Sequence, residues 1–124
     1  MTPTIRVAAI FTAVLSASAL VSQAGPAASQ RIPQFENDTV KVWKTVVLPP
    51  QPLAMHHHDH TRVIVALTGG TMNLVTPDGA VEPHPWQSGH AYWLPAMAPG
   101  ALHADVNAGE KPLEVMVVEL EKER

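Results

Sequence analysis

Met55-His56-His57-His58-Asp59-His60-Thr61, running into Arg62-Val63-Ile64-Val65-Ala66-Leu67-Thr68-Gly69-Gly70 and then Thr71-Met72-Asn73-Leu74-Val75-Thr76, is the stretch on which the fold reading turns. Two apolar, β-branched runs separated by Gly69-Gly70 predict a pair of strands joined by a two-residue hairpin turn. Upstream, Val40 to Leu48 has the same character and ends at Pro49-Pro50, which cannot donate to a continuing ladder; Pro49 to Leu53 is read as loop. Downstream, Pro77-Asp78-Gly79 is a turn, because proline presets φ and glycine tolerates positive φ. A short strand is expected around Val81. Ala91 to Leu94 and His103 to Val106 flank a loop holding Pro95 and Pro99-Gly100, and Asn107 to Pro112 turns the chain into Leu113 to Leu120. Seven or eight short strands and no long helix predict an all-β jelly roll, two sheets sharing one core.

Four of the seven histidines fall in the five positions from 56 to 60, just before the most apolar strand. In extended chain alternate side chains share a face, so His56, His58 and His60 point one way and His57 and Asp59 the other. Two imidazoles one residue apart can grip one ion. There is no cysteine, so any metal must be held by His, Asp or Glu, and neither disulfide nor thiolate is available.

These residues resemble the cupin superfamily, whose first motif is Gly-x5-His-x-His-x3,4-Glu-x6-Gly and whose second is Gly-x5-Pro-x-Gly-x2-His-x3-Asn. The match runs from Pro49 to Asn107. His56-x-His58 and Gly69 or Gly70 fit the first motif; Gly89, Pro95, Gly100, His103 and Asn107 fit the second, with three extra residues before Gly100. The resemblance implies a small single-domain cupin barrel, the double-stranded β-helix, holding one divalent metal ion on His56, His58 and His103. Two positions depart from it. Pro50 stands where the leading glycine belongs, and the expected glutamate falls on Arg62 or Val63, so the usual carboxylate ligand is missing. Three neutral histidines leave the full +2 charge on the ion and favour an anionic or bidentate oxygen ligand. Imidazole suits Fe, Mn, Zn, Ni and Cu without choosing among them.

Several neighbours have both a sharp and a plain reading. His60 is a fourth ligand or a supporting residue. Asp59 orients a ligand imidazole or is simply a loop carboxylate. Arg62 binds a substrate carboxylate, provided that an anion separates it from the ion. His84 and His90, beside prolines and turns, read as surface residues. Trp86, Tyr92 and Trp93 line a pocket or pack the core, and Met55, Met72, Met97 and Met116 read as filler.

The first residues have a different character. Arg6 is the only charged side chain among the first 30 residues; an apolar run from Val7 to Val21 follows, then Ser22-Gln23-Ala24 with small residues at the spacing a signal peptidase accepts. The expectation is a signal peptide over 1–24 and a flexible Gly/Pro/Ala/Ser leader over 25–34. The barrel then spans 35–124, with the product periplasmic or secreted. An uncleaved anchor or a buried helix is the alternative, although the run is short for a membrane span. Cleavage would remove Arg6 from eight basic residues, leaving seven against eleven acidic ones, a net charge near −4. That balance argues against nucleic acid and anionic membrane surfaces, and leaves small molecules as partners. A core of this size is marginal alone, which predicts a homodimer.

The residues thus predict an exported metal-binding cupin. It is a mononuclear metalloenzyme, oxygenase-like or isomerase- or lyase-like, acting on a small chelating substrate; the alternatives are a non-catalytic binder of metal ions or a small ligand, and a barrel with no metal at all. No nucleophile stands beside an activating base, so they specify a site but no reaction.

Overall fold

Runs of β-branched residues broken by proline and glycine form nine strands among the described residues, which in this computed structural model are Gly25 and 28–122. In chain order they are β1 (Gln30–Glu36), β2 (Val40–Val47), β3 (Leu53–His56), β4 (Arg62–Ala66), β5 (Gly70–Val75), β6 (Val81–Trp86), β7 (Ala91–Leu94), β8 (His103–Asn107) and β9 (Leu113–Leu120). The segment read as an export signal, 1–24, lies outside the described residues. All strand pairs are antiparallel. They make a five-stranded sheet in the order β1-β2-β9-β4-β7 and a four-stranded sheet in the order β3-β8-β5-β6, the double-stranded β-helix expected from the cupin resemblance.

Alternation along the strands fills the space between the sheets. Trp43 and Val47 on β2, Ile64 and Ala66 on β4, and Leu113, Val115 and Val117 on β9 meet Met72 of β5 and Trp86 of β6 in one buried cluster. Full burial of such side chains contributes about 1.5–3 kcal/mol each for the larger ones. Asn107 stitches the layers together, its Nδ2 donating to the Val47 carbonyl at 2.9 Å and to the Lys111 carbonyl at 2.7 Å.

Gly69-Gly70 does not close a hairpin. β4 pairs with β7 and β9, whereas β5 pairs with β6 and β8. The two glycines instead carry the chain from one sheet to the other. Leu67 and Thr68 both donate to the Glu114 carbonyl, at 2.9 and 3.2 Å, hooking the end of β4 onto β9. Gly70 then takes φ +151°, where a Cβ would lie 3.1 Å from Leu113 Cδ1, so the corner needs a residue without a side chain. The hairpin actually present is β5–β6, closed by Pro77-Asp78-Gly79, with Gly79 at φ +87° and Thr76 donating to the Ala80 carbonyl at 3.0 Å.

Two strands lie where the sequence predicts none. β1 occupies part of the expected leader, pairing from Gln30 with β2; its side chains are mostly exposed, and it is held by the backbone ladder rather than by an apolar face. β3 begins at Leu53, the end of the predicted loop, and pairs with β8. Of the aromatics, Trp86 is in the core and Tyr92 packs against it, while Trp93 is 63% exposed.

Candidate metal centre

β3 and β8 run side by side with His56 directly opposite His103. The chain leaves β3 at His56 and reaches His58 before β4 begins, so three imidazoles converge at one end of the barrel. One ring nitrogen from each of His56, His58 and His103 lies within 4.8 Å of the others. The His56 ring meets His58 and His103 edge-on, with centroids 4.8 and 4.6 Å away. His58 and His103 are buried and His56 half-buried.

The tautomer of His56 follows from its neighbours. Its Nδ1 lies 2.7 Å from the Ala54 carbonyl, which can only accept, so Nδ1 carries the hydrogen and Nε2 a lone pair. That Nε2 is buried and has no hydrogen-bond partner. An orphaned buried acceptor costs free energy unless something satisfies it, and a backbone carbonyl fixing the far nitrogen is the usual support for a metal-binding imidazole. The three nitrogens therefore fit a divalent ion.

Burial keeps these rings neutral. Desolvation, with smaller effects from Arg62 and His56, pushes His58 down to about 2. Desolvation, then His56 and Arg62, pushes His103 down to about 4. His56 also falls below its ordinary value, chiefly by desolvation.

The rest of the histidine tract is used elsewhere. His57 points away from the triad: its Nδ1 donates to the Ala101 carbonyl at 2.6 Å, and its Nε2 lies 3.0 Å from Asp59. Asp59 thus stands against His57 rather than against any of the three converging rings, and its side chain is 80% exposed. His60 lies apart, its Nε2 4.0 Å from Glu121. A second tie runs from the Met97 N–H to the His58 carbonyl at 2.9 Å. The loop before β8, which holds the three extra residues of the second motif, is thereby fastened twice to the tract. Gly100, at φ +77°, lets it turn, and β8 starts at His103.

Arg62, at the position of the expected glutamate, points inward with Ile64 and Ala66 on β4 and is only 5% exposed. It sits opposite Glu119 in the β4–β9 register, and Glu119 in turn lies 3.6 Å from His58 Nδ1. The Arg62 Nε has no hydrogen-bond partner. A cavity of about 380 Å³ opens between Arg62 and His103 on one side and Leu94, Met97 and Leu102 on the other. His84 edges the same cavity and lies 3.0 Å from Glu82, so its side chain is not simply at the surface; His90 is exposed.

One carboxylate escaped the sequence reading. Asp105 follows His103 by two residues on β8 and turns to the same face, with Oδ1 3.4 Å from His103 Nε2 and Oδ2 3.6 Å from His56 Nε2. The signal was the alternation already used for His56 and His58: His103-x-Asp105 on a strand is the same pattern. The five-stranded sheet also supplies Arg31, which sits 5.5 Å over the Trp43 ring and edges a small interior cavity with His58, His103 and Asp105.

No protein-family model matches the chain. The β-alanine degradation protein BauB of Pseudomonas aeruginosa is 37% identical over 89 residues, covering 71% of this chain and 86% of that protein. The crystal structure of a cupin domain from Bordetella pertussis superposes with a TM-score of 0.67 at 24% identity, over 77% of this chain and 95% of that one. An RmlC-like cupin protein from Desulfovibrio desulfuricans gives a TM-score of 0.56 at 21% identity, over 84% and 95%. With two facing antiparallel sheets, three histidines gathered at one end and a relative alike over most of both lengths, the protein belongs to the cupin superfamily.

Proposed function

We propose that the protein is a metal-dependent cupin that holds one divalent transition ion on His56, His58 and His103 and acts on a small anionic molecule in the adjoining cavity. The observation that carries this reading is the buried, unpartnered Nε2 of His56 aimed at two further imidazoles. The ion would supply Lewis acidity to a chelating substrate. The chain's own residues bind and orient: Arg62 offers a fixed positive charge beside the cavity, and Leu94, Met97 and Leu102 give it an apolar wall. The relative's name ties BauB to β-alanine, a short carboxylate, and a ligand of that class suits a cavity of about 380 Å³ edged by an arginine.

A diffuse metal buffer fits less well, because His57 and His60 are engaged with Ala101, Asp59 and Glu121. Equilibrium dialysis at pH 7.5 is expected to leave one equivalent of ion per chain. Short carboxylates should then bind the loaded protein, and Arg62→Leu should weaken them by 10-fold or more, on the order of one charge-assisted pair. A wild-type protein that retains no ion refutes the reading.

Export belongs to the same proposal, supported by Arg6, the apolar run from Val7 to Val21 and the small residues Ser22 and Ala24. Material recovered outside the cytoplasm is expected to begin at Gly25, and a retained Met1 would overturn this. Homodimerisation has support in a row of apolar residues facing one another across the five-stranded sheet: Phe35, Val42, Val118, Val63 and Trp93.

A further inference from the structure

We infer that Asp105 is the fourth protein ligand of the metal centre, a carboxylate delivered by β8 in place of the one that Arg62 displaces from the first motif. The inference rests on the three-histidine reading and extends it. Because the Ala54 carbonyl holds the His56 hydrogen on Nδ1, the Nε2 facing Asp105 is an acceptor, and a carboxylate is an acceptor too. Two electron-rich groups 3.6 Å apart in a buried site repel unless a proton or a cation lies between them, and that separation is wider than a shared proton spans. The 3.6 Å separation from His56 is too long for a hydrogen bond and the 3.4 Å one from His103 is longer than the usual range, whereas a carboxylate that orients an imidazole stands closer.

It is the right length for something else. Neighbouring ligands about 2.1 Å from a metal ion stand roughly 3.0–3.4 Å apart, the lower figure for six-coordinate ions that keep open positions. The two Asp105 oxygens approach that spacing, Oδ1 3.4 Å from His103 Nε2 and Oδ2 3.6 Å from His56 Nε2. β-Strand geometry explains how it gets there. His103 and Asp105 share the inward face of β8, and the register sets Leu53 of β3 and Leu74 of β5 on either side of Asp105. Burial pushes the Asp105 carboxyl up, and the charges of His56, Arg31 and Arg62 offset only part of that.

The site therefore carries a net charge of +1 when loaded, rather than the +2 read from the sequence, so that neutral or singly charged donors suffice at the open positions. Wild-type protein, Asp105→Asn and His103→Ala titrated with Co(II) and Zn(II) test this. Asp105→Asn keeps the shape and is expected to bind one ion with affinity lowered on the order of 10- to 100-fold and with an altered Co(II) visible spectrum. Affinity and spectrum both unchanged in Asp105→Asn, with binding lost in His103→Ala, overturn the carboxylate ligand and leave the three-histidine site standing. No binding by the wild type removes both. A second measurement needs no variant: the zinc-loaded minus ion-free infrared difference spectrum of the wild type should show a shifted carboxylate stretch, and a flat carboxylate region there overturns the inference.

Discussion

Replacing His103 by alanine is expected to cost the protein about 100-fold or more in affinity for a divalent ion at neutral pH, while His57→Ala keeps binding near one equivalent. Loss of an outer partner of a metal ligand already costs 10- to 100-fold, and His103 is itself one of three converging nitrogens. The two variants remove the same chemical group from very different places. His103 is buried between His56, His58 and Asp105; His57 turns outward to the Ala101 carbonyl. Isothermal titration with zinc on both variants checks the contrast. Equal losses would mean that the tract binds as an unstructured patch.

Lowering the pH of the ion-free protein from 7 to 4 is expected to remove stability on the order of 3 kcal/mol through His103 alone. Its folded value is about 4, against about 6.5 in an unfolded chain. Between those values the unfolded state takes up a proton that the folded state refuses, so this loss begins near pH 6.5 and is complete near pH 4. His58, held to about 2, continues the decline below that. Asp105 and Glu119, whose carboxyls burial pushes up, act in the opposite direction and soften the slope. Urea midpoints at pH 7, 6 and 5 are expected to fall steadily for the ion-free protein and in parallel, from a higher starting point, for the zinc-loaded one; a flat profile for the ion-free form contradicts it. The same shifts revise the pH at which acid ejects the ion. A free imidazole value of 6.5 predicts release toward pH 5, whereas His58 and His103 resist protonation until about pH 4 and below.

Local chemistry in the sequence reveals part of this arrangement. The His56-x-His58 alternation, the lone His103 and the turn at Pro77-Asp78-Gly79 each depend on a few adjacent residues, and each is legible. Gly69-Gly70 misleads for the same reason: two glycines between apolar runs look alike whether the strands pair with each other or part into separate sheets, and only the distant partners β8 and β9 decide. β1 gives no apolar alternation to detect, because it is held by its ladder with β2 and by Arg31 over Trp43 rather than by an apolar face. Asp105 obeys the rule that singled out the histidines but was overlooked because the familiar carboxylate position lies elsewhere, at Arg62.

The crossing at Gly69-Gly70 also bears on how the chain reaches its native state. With β4 and β5 in different sheets, no hairpin joins the two, and the partners of β4, which are β7 and β9, lie roughly thirty and fifty residues further along. His58 and His103 are likewise 45 residues apart and meet only when β3 docks on β8. Topologies built on such distant pairings fold slowly, over milliseconds to seconds, because loop closure precedes any return in contacts. The ion then has no early site to seed: it binds a barrel already assembled, pulling the equilibrium toward the folded state by mass action and slowing unfolding rather than hastening folding.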